Sequence, residues 1–584
     1  MARTDAARWV PGIAAVRSYK RSWLWADVRA GLIVTALLIP AGMGYAVVAG
    51  LPPETGLYAT IVPLVVYAIF GPSRVLVLGP DSALAPIIAA AILPLALGDP
   101  QRAVALAGLL AIMVGGLMLL GGVLRLGFVT DLLSKPIRVG YLNAIAVIVI
   151  VSQLPKLLGF SIDAETLWQE TIAIVQGLAA GGLDPIATGF GVGSLVVIVV
   201  FRLLGLRVWG IIVAVIGSMV LTAILGLSDD LAVVGALPQG LPAPALVGLS
   251  WTDIGPLVLP AAGIALVAFA DTAVLSRTFA ARRGESVDGS QEMAGVGLAN
   301  IASGLLGGFP VSGSSSRTPV AEQAGARSQL TGLIGAVLIV VFILALPGLT
   351  EFLPSATLAA VVVSAAISLI DVRGVARIAR MDRVDFVLSL AAFLGVLVFG
   401  VLQGIAITIA LSFIAFVNRS WRPYKAELGR VRGMRGYHDL SRNPDGTRIP
   451  GVVIVRFDAP LFFANGGLFD DWVRSRVRAA GADVHTLILA AEPITDIDTT
   501  AADELAELDD YLQAHGIRLI IAEMKSPVVD TLREYGLTDR FTSDRFAPTV
   551  GAAVDDVTGT LRGDIAGTKW DVAPGASDEP DARD

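Results

Sequence analysis

Two hydrophobic stretches of this chain break in the same way: 75-VLVLGPDSALAPIIAAAI-92 and 306-LGGFPVSGSSSRTPVAEQAG-325. Each runs as a short extended piece into glycine, proline and small polar residues, then continues as only half a membrane helix. Each is the third apolar segment of its own half of a long hydrophobic region. In hydrocarbon, non-helical backbone survives only where protein buries it or where it lines a cavity. Discontinuous helices at matching positions of two halves point to a secondary transporter's binding site. The helix ends that face the gap are N-termini, with free N–H groups and the positive end of the dipole. That predicts an anion site.

The rest of the composition agrees with a bilayer. The 584 residues are 55% hydrophobic and only 16% charged, with a mean hydropathy of +0.73; a soluble protein carries about a quarter charged residues. Charge is segregated, with few charges from about residue 27 to 418 and many from 421 onward, where most of the net −7 arises. No basic stripe with interleaved aromatics suggests nucleic acid. With no cysteine, disulfides, thiolate metal sites and cysteine nucleophiles are excluded. The histidines, His438, His485 and His515, all follow the apolar region, so no histidine metal site or proton relay is expected in the bilayer. An enzyme, a metal and a cofactor are therefore not expected.

Apolar segments start near 28, 55, 82, 103, 137, 187 and 208, and again near 254, 289, 313, 329, 357, 385 and 402. The expected fold is thus a polytopic α-helical membrane protein of about 14 segments, seven plus seven. The halves recur at an offset of roughly 230 residues, and an odd number per half inverts one against the other. The stretch 164–182 reads as either a surface helix or a span. Arginines and lysines gather in alternate loops, among them Arg74, Arg125, Lys135, Arg202, Arg282, Arg327 and Arg377. The loops 50–55, 227–253, 347–355 and 400–404 contain none, and only Arg102 and Lys156 fall on that other side. The positive-inside rule then places both termini in the cytoplasm of an inner membrane. The expected domains are a cytosolic segment 1–26, a transport domain 27–418, a basic irregular linker 419–448, an α/β module 449–560 and a disordered tail 561–584. In the module, strands read at 451–457, 486–491 and 517–524, alternating with helices at 466–480, 499–515 and 526–536.

Several residues can carry the chemistry. At the first break, Asp81 and Ser82 can cap the helix, while Ser82 and the Ala83 amide are the better ligand contacts. At the second, Ser312-Gly313-Ser314-Ser315-Ser316-Arg317-Thr318 sets hydroxyls and a guanidinium at a helix start. An arginine at membrane depth is costly and by default functional. Asp271 reads as the one acid well inside a span; it can pair with Arg317 or bind a coupling cation or proton. Two helix N-termini of about +0.5 each and Arg317 sum to about +2. That suits a divalent oxyanion once H+ or Na+ neutralises Asp271, and a monovalent anion with ionised Asp271 balances nearly as well.

The stretches 53-PETGLYATIVPLVVYAIFGPSR-74, 79-GPDSA-83, 297-GLANIASG-304, 309-FPVSGSSSRT-318 and 325-GARSQLTGL-333 resemble the SulP family of anion transporters. The resemblance covers about 20–555, with departures at Thr55 and Pro72. The C-terminal module resembles a STAS domain through 451-GVVIVRFDAPLFFAN-465 and 496-DIDTTAADEL-505. The resemblance implies core and gate domains built from inverted seven-segment repeats, usually as a homodimer, with an anion between the third and tenth segments. It assigns Ser82, Ala83, Ser315, Ser316 and Arg317 to the anion and Asp271 with Ser314 to the coupling ion. Tyr45 can line the pocket. Ala41 stands where the family commonly has glutamine, which removes a donor near the site. Thr499 and Thr500 follow Asp498 where related STAS modules are phosphorylated, and capping of the helix accounts for the same pattern.

The resulting expectation is a secondary transporter importing a small oxyanion, sulfate first, by proton symport. Na+-coupled bicarbonate transport, H+-coupled dicarboxylate transport and a passive anion channel are the alternatives within transport. A membrane-tethered signalling protein whose STAS module is the output is the reading outside it; a cytosolic regulator at the STAS domain is a further expected partner.

Overall fold

The computed structural model describes residues 10–126, 134–162, 167–238 and 240–559 apart from 242, 243 and 245. The tail expected to be disordered, and the first nine residues of the N-terminal segment, lie outside the described residues. The chain divides into two units, Met1–Phe413 and Ile414–Asp584.

In the first unit a short helix, α1 (Pro11–Arg17), precedes the first repeat. The first half holds α2 (Leu24–Val48), α3 (Pro53–Phe70), α4 (Ala85–Ala96), α5 (Pro100–Val123), α6 (Lys135–Leu158), α7 (Leu167–Ala179), α8 (Pro185–Leu203) and α9 (Arg207–Leu225). The second repeats the order as α10 (Ile254–Ala281), α11 (Gly289–Leu305), α12 (Arg317–Gln323), α13 (Leu330–Ala345), α14 (Ser355–Ile367), α15 (Val372–Met381), α16 (Arg383–Phe399) and α17 (Val401–Trp421). The two third segments are half-length. α4 has 12 residues and α12 has 7, about 18 and 10 Å at ~1.5 Å per residue, against a hydrocarbon core of about 30 Å. Their missing halves are the two-residue strands β1 (Leu78–Gly79) and β2 (Ser312–Gly313), which pair antiparallel as Leu78 with Gly313 and Gly79 with Ser312. The ambiguous stretch 164–182 contains α7, a 13-residue helix with Ile174 as its buried residue. Its counterpart after the fifth segment of the second half is α15.

Contacts between segment ends sort them onto two faces, as inversion requires. On one, Asp27 at the start of α2 accepts from the Arg327 and Ser328 amides at 2.6 and 3.2 Å and from the Ser328 and Thr331 hydroxyls at 2.7 and 3.1 Å. Arg29 donates to the Ala324 carbonyl there, and Arg74 pairs with Glu285. On the other, Arg102 bridges to Asp253 at 2.9 Å, and the Val234 amide donates to Leu353 at 2.9 Å.

Helices α5 and α11 run antiparallel with their backbones in contact at three levels seven residues apart. A Cβ on Gly108 would stand 2.8 Å from the Gly304 carbonyl oxygen, one on Gly115 2.4 Å from that of Gly297, and one on Gly122 2.7 Å from that of Ser290. Small residues allow such close crossings in membranes, where burial from water adds nothing to helix association.

The second unit carries a six-stranded sheet, β3 (Lys425–Arg430), β4 (Tyr437–Asp439), β5 (Val452–Phe457), β6 (Thr486–Ala490), β7 (Arg518–Ala522) and β8 (Phe546–Ala547), in the order β4-β3-β5-β6-β7-β8. β5 to β8 are parallel, and helices α18 (Gly466–Ala480), α19 (Thr499–Ala514) and α20 (Ser526–Glu534) connect them. α21 (Val550–Thr558) follows β8. The expectation of an irregular linker over 419–448 is corrected: β3 and β4 fall inside it, and β3 pairs antiparallel with β5 from Lys425↔Phe457 to Leu428↔Ile454.

Gly115→Ala should lower the melting temperature of the detergent-solubilised protein, with an overpacking cost of about 2 kcal/mol. At the neighbouring Gly116 a Cβ would meet nothing within 4 Å, so Gly116→Ala should be neutral or stabilising by up to about 1 kcal/mol of helix propensity. Equal effects of the two substitutions would remove the backbone seam as the cause.

Candidate anion-binding site

The β1–β2 crossing leaves backbone groups that no helix can satisfy, and side chains from three neighbouring segments supply the partners. The Ser314 amide donates to the Val77 carbonyl at 3.0 Å. The Val77 amide donates to the Thr318 hydroxyl at 3.1 Å, and the Gly313 amide to the Thr272 hydroxyl at 2.8 Å. That hydroxyl in turn donates to Ala268 within α10. Asn300 brackets Val311, donating to its carbonyl at 3.0 Å and accepting from its amide at 2.8 Å. Thr272, Asn300 and Thr318 carry no signal of this role in the sequence, because each acts on backbone remote along the chain or beyond its own helix.

The two half-helices start at this crossing. At α4, Asp81 caps the turn: its Oδ1 accepts from the Ala83 amide at 2.9 Å, and its carbonyl accepts from Leu84 and Ala85. The Ala83 amide, expected to touch the ligand, is held here by that carboxylate. The Ser82, Ser315 and Ser316 amides carry no such bond among the described residues. Ser314 is committed to the turn, its hydroxyl accepting from the Arg317 amide at 3.2 Å and pairing with the Ser316 hydroxyl at 3.2 Å. Ser315 and Ser316 are exposed.

Arg317 lies behind them, 2% exposed. One guanidinium nitrogen, Nη2, donates to the Pro80 carbonyl across the crossing. Its Nε and Nη1 are buried with no partner. A buried donor left unpaired costs about 1–3 kcal/mol, more when charged, so this arrangement calls for an acceptor. Gly79 makes room for it: φ there is +153°, and a Cβ would stand 3.2 Å from Arg317 Nη1. Tyr45 of α2, 4% exposed, brings its hydroxyl within range of Ser82, Asp81 and Arg317.

Asp271 does not pair with Arg317. Among the described residues it has neither a hydrogen bond nor an ion pair, and the charged groups it faces are Asp81 and Arg138. The buried Tyr141 hydroxyl of α6 also lacks a partner and lies within range of Asp271 and Asp81. Two further acids are buried in the first turns of their helices: Asp27 and Glu292 are 0% and 1% exposed, the latter accepting from Tyr67 and, at 2.5 Å, from Ser276. In the other unit, Thr499 and Thr500 are exposed at the start of α19, where Asp498 caps the Ala501 amide at 2.8 Å and accepts from the Phe463 amide.

This arrangement of paired half-helices over a buried arginine coincides with a family match: the sulfate permease profile covers residues 24–392. The chain belongs to the sulfate permease family. A STAS domain matches 443–553. The family member named a "probable sulfate transporter" in Mycobacterium tuberculosis strain H37Rv is 40% identical over 549 residues, covering 94% of this chain and 98% of its own. "Sulfate transporter 4.1, chloroplastic" of Arabidopsis thaliana is 30% identical, with 94% and 82% covered. Among solved structures, the inward-facing murine Solute Carrier 26 family member A9 anion transporter superposes with a TM-score of 0.89 at 22% identity, covering 96% of this chain and 95% of that one. The transmembrane domain of the cyanobacterial bicarbonate transporter BicA gives 0.57 at 22% identity over 68% and 98%. The fold is thus that of a multi-pass membrane transporter with a C-terminal STAS domain.

In this sulfate permease relative, Gly79→Ala should crowd the guanidinium and weaken anion binding about tenfold, or 1.4 kcal/mol. Anion-dependent thermal shift of the purified protein measures it; an unchanged affinity would put the anion elsewhere.

Proposed function

We propose that this protein is a secondary active transporter that imports a small oxyanion, sulfate first, by proton symport across the cytoplasmic membrane. The observation that carries the reading is the Arg317 guanidinium, buried between two half-helix starts with Nε and Nη1 unpartnered. An oxyanion there would complete those donors and accept from the Ser82, Ser315 and Ser316 groups. The seven-residue α12 has a weaker dipole than a long helix, so Arg317 is the main positive charge in this scheme. Relatives 40% and 30% identical are named sulfate transporters, which supports sulfate ahead of bicarbonate or a dicarboxylate.

The coupling in this reading rests on electrostatics. Asp271 lies within electrostatic range of Asp81, and negative charge on either opposes an anion. Neutralising Asp271 with a proton removes one of them, so proton and anion each favour the other's binding, and by linkage reciprocally. Na+ at Asp271 would do the same by adding charge. The proposal includes both termini in the cytoplasm, a homodimer, and a STAS module that receives a cytosolic regulator at the surface bearing Thr499 and Thr500.

Labelled sulfate uptake into proteoliposomes, with and without an inward proton gradient and with bicarbonate and fumarate as competitors, tests the whole. Accumulation should collapse when the gradient is dissipated; downhill flux alone would make the protein a passive channel. Arg317→Ala should abolish saturable binding, and retained affinity would displace the site. Asp271→Asn should leave anion exchange measurable while gradient-driven accumulation falls by at least about tenfold, the range of typical coupling energies. Unchanged dependence on the gradient would move coupling to another acid.

A further inference from the structure

Two short helices, α7 and α15, follow the fifth segment of each half, which an inverted repeat sets on opposite faces. Their charges differ. α7, LWQETIAIVQGLA, carries Glu170 and no lysine or arginine, whereas α15, VRGVARIARM, carries Arg373, Arg377 and Arg380 and no acid. Spacings of four and three put the arginines in one stripe, within about 60° of the helix circumference. Ile378, the buried residue of α15, sits on the far side. Among the described residues none of the three arginines has a hydrogen bond or an ion pair. The neighbouring carboxylates are engaged with backbone: Asp371 accepts from the Gly374 amide at 2.7 Å and Asp382 from the Val384 amide at 2.7 Å. The terminal residues of α15, Val372 and Met381, are 69% and 72% exposed. A short helix with a free basic stripe and bare apolar ends suits the headgroup plane of a bilayer.

We propose that α15 binds the headgroup phosphates of anionic phospholipids, in the leaflet on the face where both ends of the membrane unit emerge. The charge complementarity is direct, since three arginines without a protein counterion meet a surface of phosphates. Each basic residue held near such a surface strengthens attachment about fivefold. The Asp371 amide donates to Asn143 of α6 at 3.0 Å, so the lipid grips a helix joined to α6, α14 and α16.

The test uses the full-length protein in nanodiscs of phosphatidylcholine with a minor fraction of phosphatidylglycerol, with lipid retained after detergent extraction counted by mass spectrometry. The wild type should enrich phosphatidylglycerol several-fold over its bulk fraction, less so at high salt. R373Q/R377Q/R380Q should bring the ratio to the bulk value, while the triple lysine variant retains most of the enrichment and shows that the helix is folded. Glu170→Gln should change nothing. Undiminished enrichment in the glutamine variant would overturn the proposal. So would stabilisation by inorganic phosphate that disappears in that variant, which would assign the stripe to a soluble anion.

Discussion

Four residues of extended backbone between two half-length helices are the constraint around which the first unit is organised. Leu78–Gly79 and Ser312–Gly313 satisfy some of one another's backbone groups, but two residues a side cannot close a ladder. The remaining groups would each cost several kcal/mol in hydrocarbon. Thr272, Asn300 and Thr318 meet that need, each from a different segment. The crossing therefore exists only when α10, α11 and α12 are in place around it. The same crossing sets Arg317 against the Pro80 carbonyl and leaves its buried Nε and Nη1 without a partner. Those two unpaired donors are a by-product of how the irregular backbone is held.

Holding it requires that the neighbours be rigid. The α5–α11 seam supplies this, because helices touching through their backbones have no side-chain rotamers through which to slide. Asp27 adds a second clamp, drawing the start of α2 onto the Arg327–Thr331 turn of the other half. The two halves are thus interlocked on one face by a carboxylate and at mid-depth by strand pairing.

Much of this could be read from the sequence. The broken segments, the seven-plus-seven count and the strand–helix alternation after residue 449 follow from hydrophobic runs interrupted by glycine and proline, which are local signals. What could not be read depends on partners far along the chain. The Asp81 carboxylate was open to a capping role, yet only the turn geometry shows that it occupies the Ala83 amide. Asp271 and Arg317 are opposite charges at similar depth, but the guanidinium turns to a carbonyl instead. The strands β3 and β4 lie in a basic, glycine-containing stretch whose pairing is dictated by β5. Asp27 looks like an ordinary acid in the first turn of a helix; apart from Tyr19, its partners are about 300 positions away.

The glycine seam also sets a rule for how such a chain can vary. Its three contact levels share one register, Gly108 with Gly304, Gly115 with Gly297 and Gly122 with Ser290. Inserting or deleting one residue within either helix would turn everything beyond it by about 100° and carry side chains into positions where only backbone fits. Homologous chains are then free to change length in their loops, while the interval from 108 to 122 and its mirror from 290 to 304 must keep their count. The seam is a ruler as well as a joint.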